Sequence, residues 1–131
     1  MILLDASVLI AFLDATDSHH LAAEELLADA IDDELTVNTL TLAEVLVAPA
    51  RDGRLDVVRK AFRDLEVREL LFPANAAVRL AQLRAQTRLK MPDCCVLLAA
   101  EDAGAQIASF DDRLLRAAQD RNVRTLGRPR E

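Results

Sequence analysis

A strand-like or turn-like stretch, then an acid, then an apolar run of helical character recurs four times along this chain. The acids are Asp5 in ILLDAS, Glu44 in LTLAEVL, Asp93 in KMPDCC and Asp111 in IASFDD. Short strands alternating with helices build a parallel sheet covered on both faces, so the expected class is α/β. If the strands lie parallel, the four carboxylates can gather at the sheet's carboxyl edge, where open α/β sheets bind ligands. Oxygen donors gathered without histidine are a set suited to hard divalent cations.

The segments between the acids fit that class. Met1 to Leu4 is a continuous apolar run, as in a strand buried on both faces. A helical pattern follows from Asp5 through Val8, Leu9, Phe12 and Leu13, then the polar stretch Asp14 to His20 and a helix over Leu21 to Ala30. Leu35-Thr36-Val37 reads as the second strand. Thr41 to Ala48 reads as a helix stopped by Pro49, and Leu55 to Leu65 as an amphipathic helix. Glu66 to Leu71, with its alternating charge, suits an edge strand. Pro73 to Thr87 reads as a long helix with Ala77, Leu80, Ala81 and Leu83 inward, and Asp93 to Ala103 as a helix buried on most sides, ended by Gly104. Ala105 to Ser109 and Val123 to Leu126 close the pattern as strands around a helix from Asp111 to Ala118.

At 131 residues the chain is expected to form a single domain, 1–131, with a substantial core. Aromatic residues are only 3% of the sequence against 52% hydrophobic, so Leu, Val, Ile and Ala must fill the core, which favours packed helices over a sandwich of strands. A net charge of -6 argues against a generally basic nucleic-acid binder, but not against an acidic site that meets phosphate through cations. Cys94 and Cys95 are adjacent and diverge on a helix, so neither a disulfide nor a zinc pair is expected; the usage suits a reduced, cytoplasmic setting. Asp5 interrupts the opening apolar run with no basic region before it, so no signal peptide is expected. No apolar run is long enough to span a membrane.

Each acid has a plain structural use as well. Thr41-Leu42-Ala43-Glu44 fits a capping box, and Asp5, Asp93 and Asp111 could each cap the helix that follows. Their joint occurrence weakens that explanation. Two carboxylates about 4 Å apart repel by roughly 4 kcal/mol at an effective dielectric near 20. A cluster is therefore a poor way to cap helices and a good way to hold Mg²⁺ or Mn²⁺. Whether the acids converge depends on strand order, which spacing does not reveal.

The stretches ILLDASVLIAFLD, LTLAEVLVAPARDGR and LRAQTRLKMPDCCVLLAAEDAGAQIASFDDRL resemble, in order and over essentially the whole chain, a PIN-domain ribonuclease of the VapC type. VapC proteins are the toxins of type II toxin–antitoxin pairs. The resemblance implies a PIN-like three-layer α/β/α sandwich with a short, mainly parallel central sheet. It implies a metal-dependent endoribonuclease that cleaves structured RNA of the tRNA or rRNA class by metal-activated water, with one or two Mg²⁺ or Mn²⁺ ions. By position, Asp5, Glu44, Asp93 and Asp111 correspond to the family's acids, with Glu44 acting directly or through a water. Ser7 and Ser109 correspond to its supporting hydroxyls. The implied partners are a cognate VapB-type antitoxin and a second copy of the chain in a homodimer. An apolar surface around Leu9, Phe12, Leu13 and Leu42 to Val47 is the expected neighbourhood for the antitoxin.

The chain departs from the family pattern in two places. Ser109-Phe110-Asp111 replaces the commoner T-x-D, and Asp112 follows directly, so the last acid is either Asp111, favoured by its spacing from Ser109, or Asp112. His19-His20 reads as a solvated helix start, and Arg84, Arg88 and Lys90 as a solvated face with phosphate steering as the alternative. Arg121, Arg124, Arg128 and Arg130 read as an exposed terminus. Rival readings are weaker. A haloacid-dehalogenase phosphohydrolase would carry D-x-D-x-T where Asp5-Ala6-Ser7 stands, and a receiver domain would carry a late strand-end lysine, whereas Lys60 and Lys90 are the only lysines. The serious alternative is a catalytically inactive PIN-like domain that binds RNA or protein.

Overall fold

The computed structural model describes residues 1–127. Along the chain run β1 (Ile2–Leu4), α1 (Ala6–Leu13), α2 (His20–Asp29), β2 (Leu35–Asn38), α3 (Thr39–Arg51), α4 (Leu55–Asp64), β3 (Arg68–Leu70), α5 (Ala76–Thr87), α6 (Met91–Ala103), β4 (Gln106–Ala108), α7 (Asp112–Asp120) and β5 (Thr125–Leu126). The five strands form one sheet in the order β3-β2-β1-β4-β5, and every pairing is parallel. β1 is central, with Leu3 opposite Thr36 on one side and Ile107 on the other.

Side-chain alternation along the strands separates two cores. Ile2, Leu4, Leu35, Val37 and Ala108 pack with Val8, Leu9, Leu27, Val45, Val58 and Phe62 from α1 to α4. Leu3 and Ile107 face the opposite way, against Leu83, Val96, Leu97, Leu98 and Leu114 of α5, α6 and α7. This is the expected α/β/α sandwich. Cys94 through Ala100 are all buried, as the apolar run of α6 requires, and both cysteines are free thiols. No helix among the described residues is long and apolar enough to cross a membrane.

Several boundaries differ from the sequence expectation for identifiable reasons. Pro49 lies inside α3 rather than ending it. Proline loses its own N–H but keeps its carbonyl, and near a helix end the later residues still bond backwards, as Asp52 N–H does to the Ala48 carbonyl at 3.0 Å. The cap of α3 is Asn38, whose side chain accepts from Thr41 N–H at 2.9 Å, so Thr41 and Glu44 are helical and form no capping box. α5 begins at Ala76, after Asn75 in the left-handed region, and leaves Ala77 and Ala81 exposed where burial was expected. α6 begins at Met91, so Asp93 lies in its first turn and Lys90 occupies the cap position. Gly104 ends α6 at φ +66°, as expected. β3 is indeed an edge strand, shortened to Arg68–Leu70. Arg128 and Arg130 lie outside the described residues.

Candidate metal centre

The strand order reverses direction between β1 and β4, so the crevice at their carboxyl ends is where this architecture opens for a ligand. Leu4 pairs with Ala108, which sets Asp5 and Ser109 on neighbouring chain ends, and Asp5 N–H donates to the Ala108 carbonyl at 3.0 Å. Asp5 occupies the cap position of α1 but makes no side-chain cap bond. Its carboxylate is engaged elsewhere. The hydroxyls of Ser7 and Ser109 both donate to Asp5 Oδ2 at 2.8 Å, which leaves Oδ1 outside that pair of bonds.

The two serines extend the network into the loop after β4. Phe110 N–H donates to Ser7 Oγ at 3.0 Å, and Asp111 N–H donates to Ser109 Oγ at 2.9 Å. Each hydroxyl thus accepts from the β4–α7 loop and donates to the acid after β1. Their oxygens are 3.3 Å apart, a contact that neither proton is free to serve. Asp5 and Ser109 are buried, at 7% and 0% exposure, so this network fixes the carboxylate inside the fold.

The other acids arrive from separate elements. Glu44 stands on the exposed side of α3, and its charge reaches both Asp93 and the Cys95 thiol on α6. Asp93 is half-buried at the start of α6. Its pKa is pushed up to about 6, first by burial and then by the charges of Asp111, Asp5 and Glu44, with Lys90 opposing. Asp93 therefore senses all three of the other acids. Asp111 also caps α7, as its sequence position allowed, through Oδ1 accepting from Arg113 N–H at 3.0 Å and Leu114 N–H at 3.3 Å. Asp112 is exposed and pairs with Arg116 one turn along α7 at 2.9 Å.

The donors are all carboxylate or hydroxyl oxygens, which fits Mg²⁺ or Mn²⁺ better than softer ions. Among the described residues, no three acids, histidines or cysteines already form a closed set of metal ligands. The four acids share an electrostatic field rather than a coordination sphere.

The histidines make no hydrogen bond to these acids and are less solvated than their sequence suggested. His20 Nδ1 lies 2.7 Å from the Ala11 carbonyl and Nε2 lies 3.1 Å from Glu24, which ties α2 to α1. His19 stacks on Phe110, with ring centroids 4.9 Å apart and planes inclined by 12°. Arg84 is not a free surface charge, because its guanidinium donates to the carbonyls of Arg88 and Leu89 and braces the turn before α6. Arg121 likewise pairs with Glu101 at 2.6 Å.

Two supporting residues escaped the sequence reading. Asn38 is 2% exposed and sets the entry of α3, hence the placing of Glu44; its signal is an Asn directly after an apolar strand. Gly127 is the other. A β-carbon there would meet the Ser109 carbonyl at 2.5 Å, so only glycine lets the chain after β5 pack against the site strand. Its only signal is being one of 3 glycines in the chain.

Among curated protein sequences, none matches this chain. Solved structures give a clear likeness of fold. A toxin–antitoxin complex from Klebsiella pneumoniae contains a chain of 21% identity and TM-score 0.73, with 88% of this chain and 90% of that one covered. FitAcB from Neisseria gonorrhoeae matches at 20% identity and TM-score 0.74, with 97% of each chain covered. The Mycobacterium tuberculosis toxin VapC20, described as cleaving the sarcin–ricin loop, matches at 18% identity and TM-score 0.71, covering 89% of this chain and 95% of its own. The sequence model for the PIN domain matches residues 2–120, a span that takes in every strand but the last and all four acids. The sheet order and that match agree, and the chain belongs to the PIN domain family.

Proposed function

We propose that this protein is a metal-dependent endoribonuclease and the toxin of a toxin–antitoxin pair, hydrolysing phosphodiester bonds in structured RNA. The observation that carries the reading is the meeting of three carboxylate fields on the half-buried Asp93. Such crowding costs stability, and a bound cation would neutralise it. Mg²⁺ or Mn²⁺, when bound, would supply Lewis acidity toward water and phosphate.

The chain's own residues do the positioning. Ser7 and Ser109 hold Asp5 by Oδ2 and leave Oδ1 free of their hydrogen bonds, available to a cation. Asp93 holds its proton up to a higher pH than an ordinary aspartate, and a bound cation would favour its ionised form, which couples its ionisation to cation binding. Asp111 is held at backbone and side chain by Ser109, Arg113 and Leu114. Glu44 closes the set from α3, directly or through a water.

Asp111 is favoured over Asp112 because its charge bears on Asp93, whereas Asp112 is spent on Arg116. Asp112→Asn should change cleavage by no more than about threefold, the scale of an exposed ion pair. Asp111→Asn should lower it far more. Equal losses in single-turnover assays would exclude the assignment.

The antitoxin reading draws on a groove of about 250 Å³ between α1, α3 and α4, lined by Ile10, Leu13, Val45, Pro49, Val57 and Val58. Ile10, Val47 and Val57 are 46%, 56% and 61% exposed, an apolar surface that a partner helix or strand would cover. Leu9, expected on this surface, is instead fully buried. Self-association would draw on other exposed apolar side chains, such as Leu71 and Val78.

A panel of structured RNAs incubated with the protein, with and without Mg²⁺ or Mn²⁺, tests the nuclease reading. Metal-dependent cleavage that disappears in Asp5→Asn supports it. Tight RNA binding with no cleavage in any metal would favour the inactive binding module instead.

A further inference from the structure

The stack of His19 on Phe110 is not used by the chemistry above, yet it is built onto the same network. Phe110 lies between Ser109 and Asp111, and its N–H is held by Ser7 Oγ at 3.0 Å. Its backbone is therefore held by the same serine that bonds Asp5. On the other side, His19 backbone N–H donates to Asp17 Oδ1 at 2.8 Å, which fixes the main chain that carries the imidazole at the start of α2. The rings are nearly parallel, at 12°, and the His19 side chain keeps 35% of its surface exposed.

Aromatic rings are scarce here: the chain has 4 Phe and no Trp or Tyr. Phe62 is buried in the core, Phe12 packs against it, and Phe72 is exposed after β3. Phe110 directly precedes Asp111, and it is backed by the core and faced by a flat, partly open imidazole. We infer that His19, backed by Phe110, is a stacking platform for one unpaired nucleobase of the RNA whose backbone enters the acidic crevice.

The inference rests on the ribonuclease reading and adds a substrate class to it. A paired base must give up its pairing and stacking to cover the ring, so the platform favours RNA with a splayed, single-stranded nucleotide near the cut. Every base has a flat π face, so the platform holds a nucleotide in place without reading its identity.

The test uses a dye-labelled RNA hairpin with an unpaired loop, taken from those that the wild-type protein cuts with Mg²⁺. Binding is followed by anisotropy in the Asp5→Asn background, which leaves the hairpin intact, while loop nucleotides are made abasic one at a time. One abasic position should weaken binding by about tenfold, within the range for base–aromatic stacking. His19→Ala should weaken binding to the intact hairpin as much, and should show no further loss at that abasic position. His19→Phe should bind like the parent.

Two results would overturn the platform while leaving the nuclease standing. His19→Ala could bind as the parent does, or its loss could add fully to that of every abasic position, as a structural clamp would. If no RNA in the panel is cut by the wild-type protein, the ribonuclease reading falls first and takes the platform with it.

Discussion

Asp5→Asn and Asp93→Asn are each expected to abolish metal-dependent RNA cleavage while leaving a folded protein. For Asp5 the folding half of the expectation follows from its hydrogen bonds. Both serine hydroxyls donate to one oxygen, Oδ2, and the carbonyl oxygen of an Asn in the same rotamer accepts both in turn. What is lost is the negative charge and the second acceptor oxygen, replaced by an amide that repels a cation. For Asp93 the substitution removes one of a set of like charges from a half-buried place, so it relieves repulsion and should not lower stability near neutral pH.

The catalytic half follows from what each group supplies. Residues that merely orient a metal ligand typically cost about 10–100-fold when removed, so loss of a ligand should exceed about 100-fold. Single-turnover cleavage beside thermal melts of both variants checks the two halves together. Full activity in either folded variant would remove that residue from the site, and unfolding of Asp5→Asn would mean the hydroxyl network tolerates no amide.

Much of this arrangement was legible in the sequence because its causes are local. A short apolar run followed by an acid and a helical pattern marks a strand end at Leu4 and at Ala108 without any tertiary knowledge. The burial of α6 follows from a run of apolar residues, Cys94 to Ala100, too long to be one face of a helix. Strand order was not legible. The pairing of Leu4 with Ala108 depends on which surfaces the intervening helices cover, so the meeting of Asp5 with Ser109 had to come from family resemblance or from the fold. Local readings failed where two residues compete for one role. Asn38 and Thr41 are both good caps, and burial of Asn38 at the strand end decided for it. Pro49 reads as a stop because interior prolines break helices, but two residues from the end it removes only its own donor. The His19–Phe110 stack joins the start of α2 to the loop after β4, residues far apart in the chain, and no periodicity signals it.

The second large effect expected is a metal-induced rise in melting temperature that depends on pH. Asp93 has an ordinary value of 3.8 and is raised to about 6 in the folded protein. The folded state therefore binds that proton more tightly than the unfolded chain does. Between those two values the native form holds more protons, so stability falls as pH rises through the window, the reverse of an ordinary salt-bridged aspartate. Above it, the ionised Asp93 faces Asp5, Glu44 and Asp111 with only Lys90 in opposition. A divalent cation binds this ionised set and must compete with the proton below it. Stabilisation by Mg²⁺ or Mn²⁺ should accordingly be small near pH 5 and full near pH 7.5, values that bracket the pKa of about 6. At a cation concentration about 100 times the dissociation constant, the gain is about 2.7 kcal/mol. For a chain of this size that corresponds to a shift on the order of 10 °C. Melting curves at the two pH values, with and without cation, in the wild-type protein and in Asp5→Asn, separate this from general ionic effects. A shift equal at both pH values, or equal in the variant, would mean the cation binds somewhere other than the crowded acids.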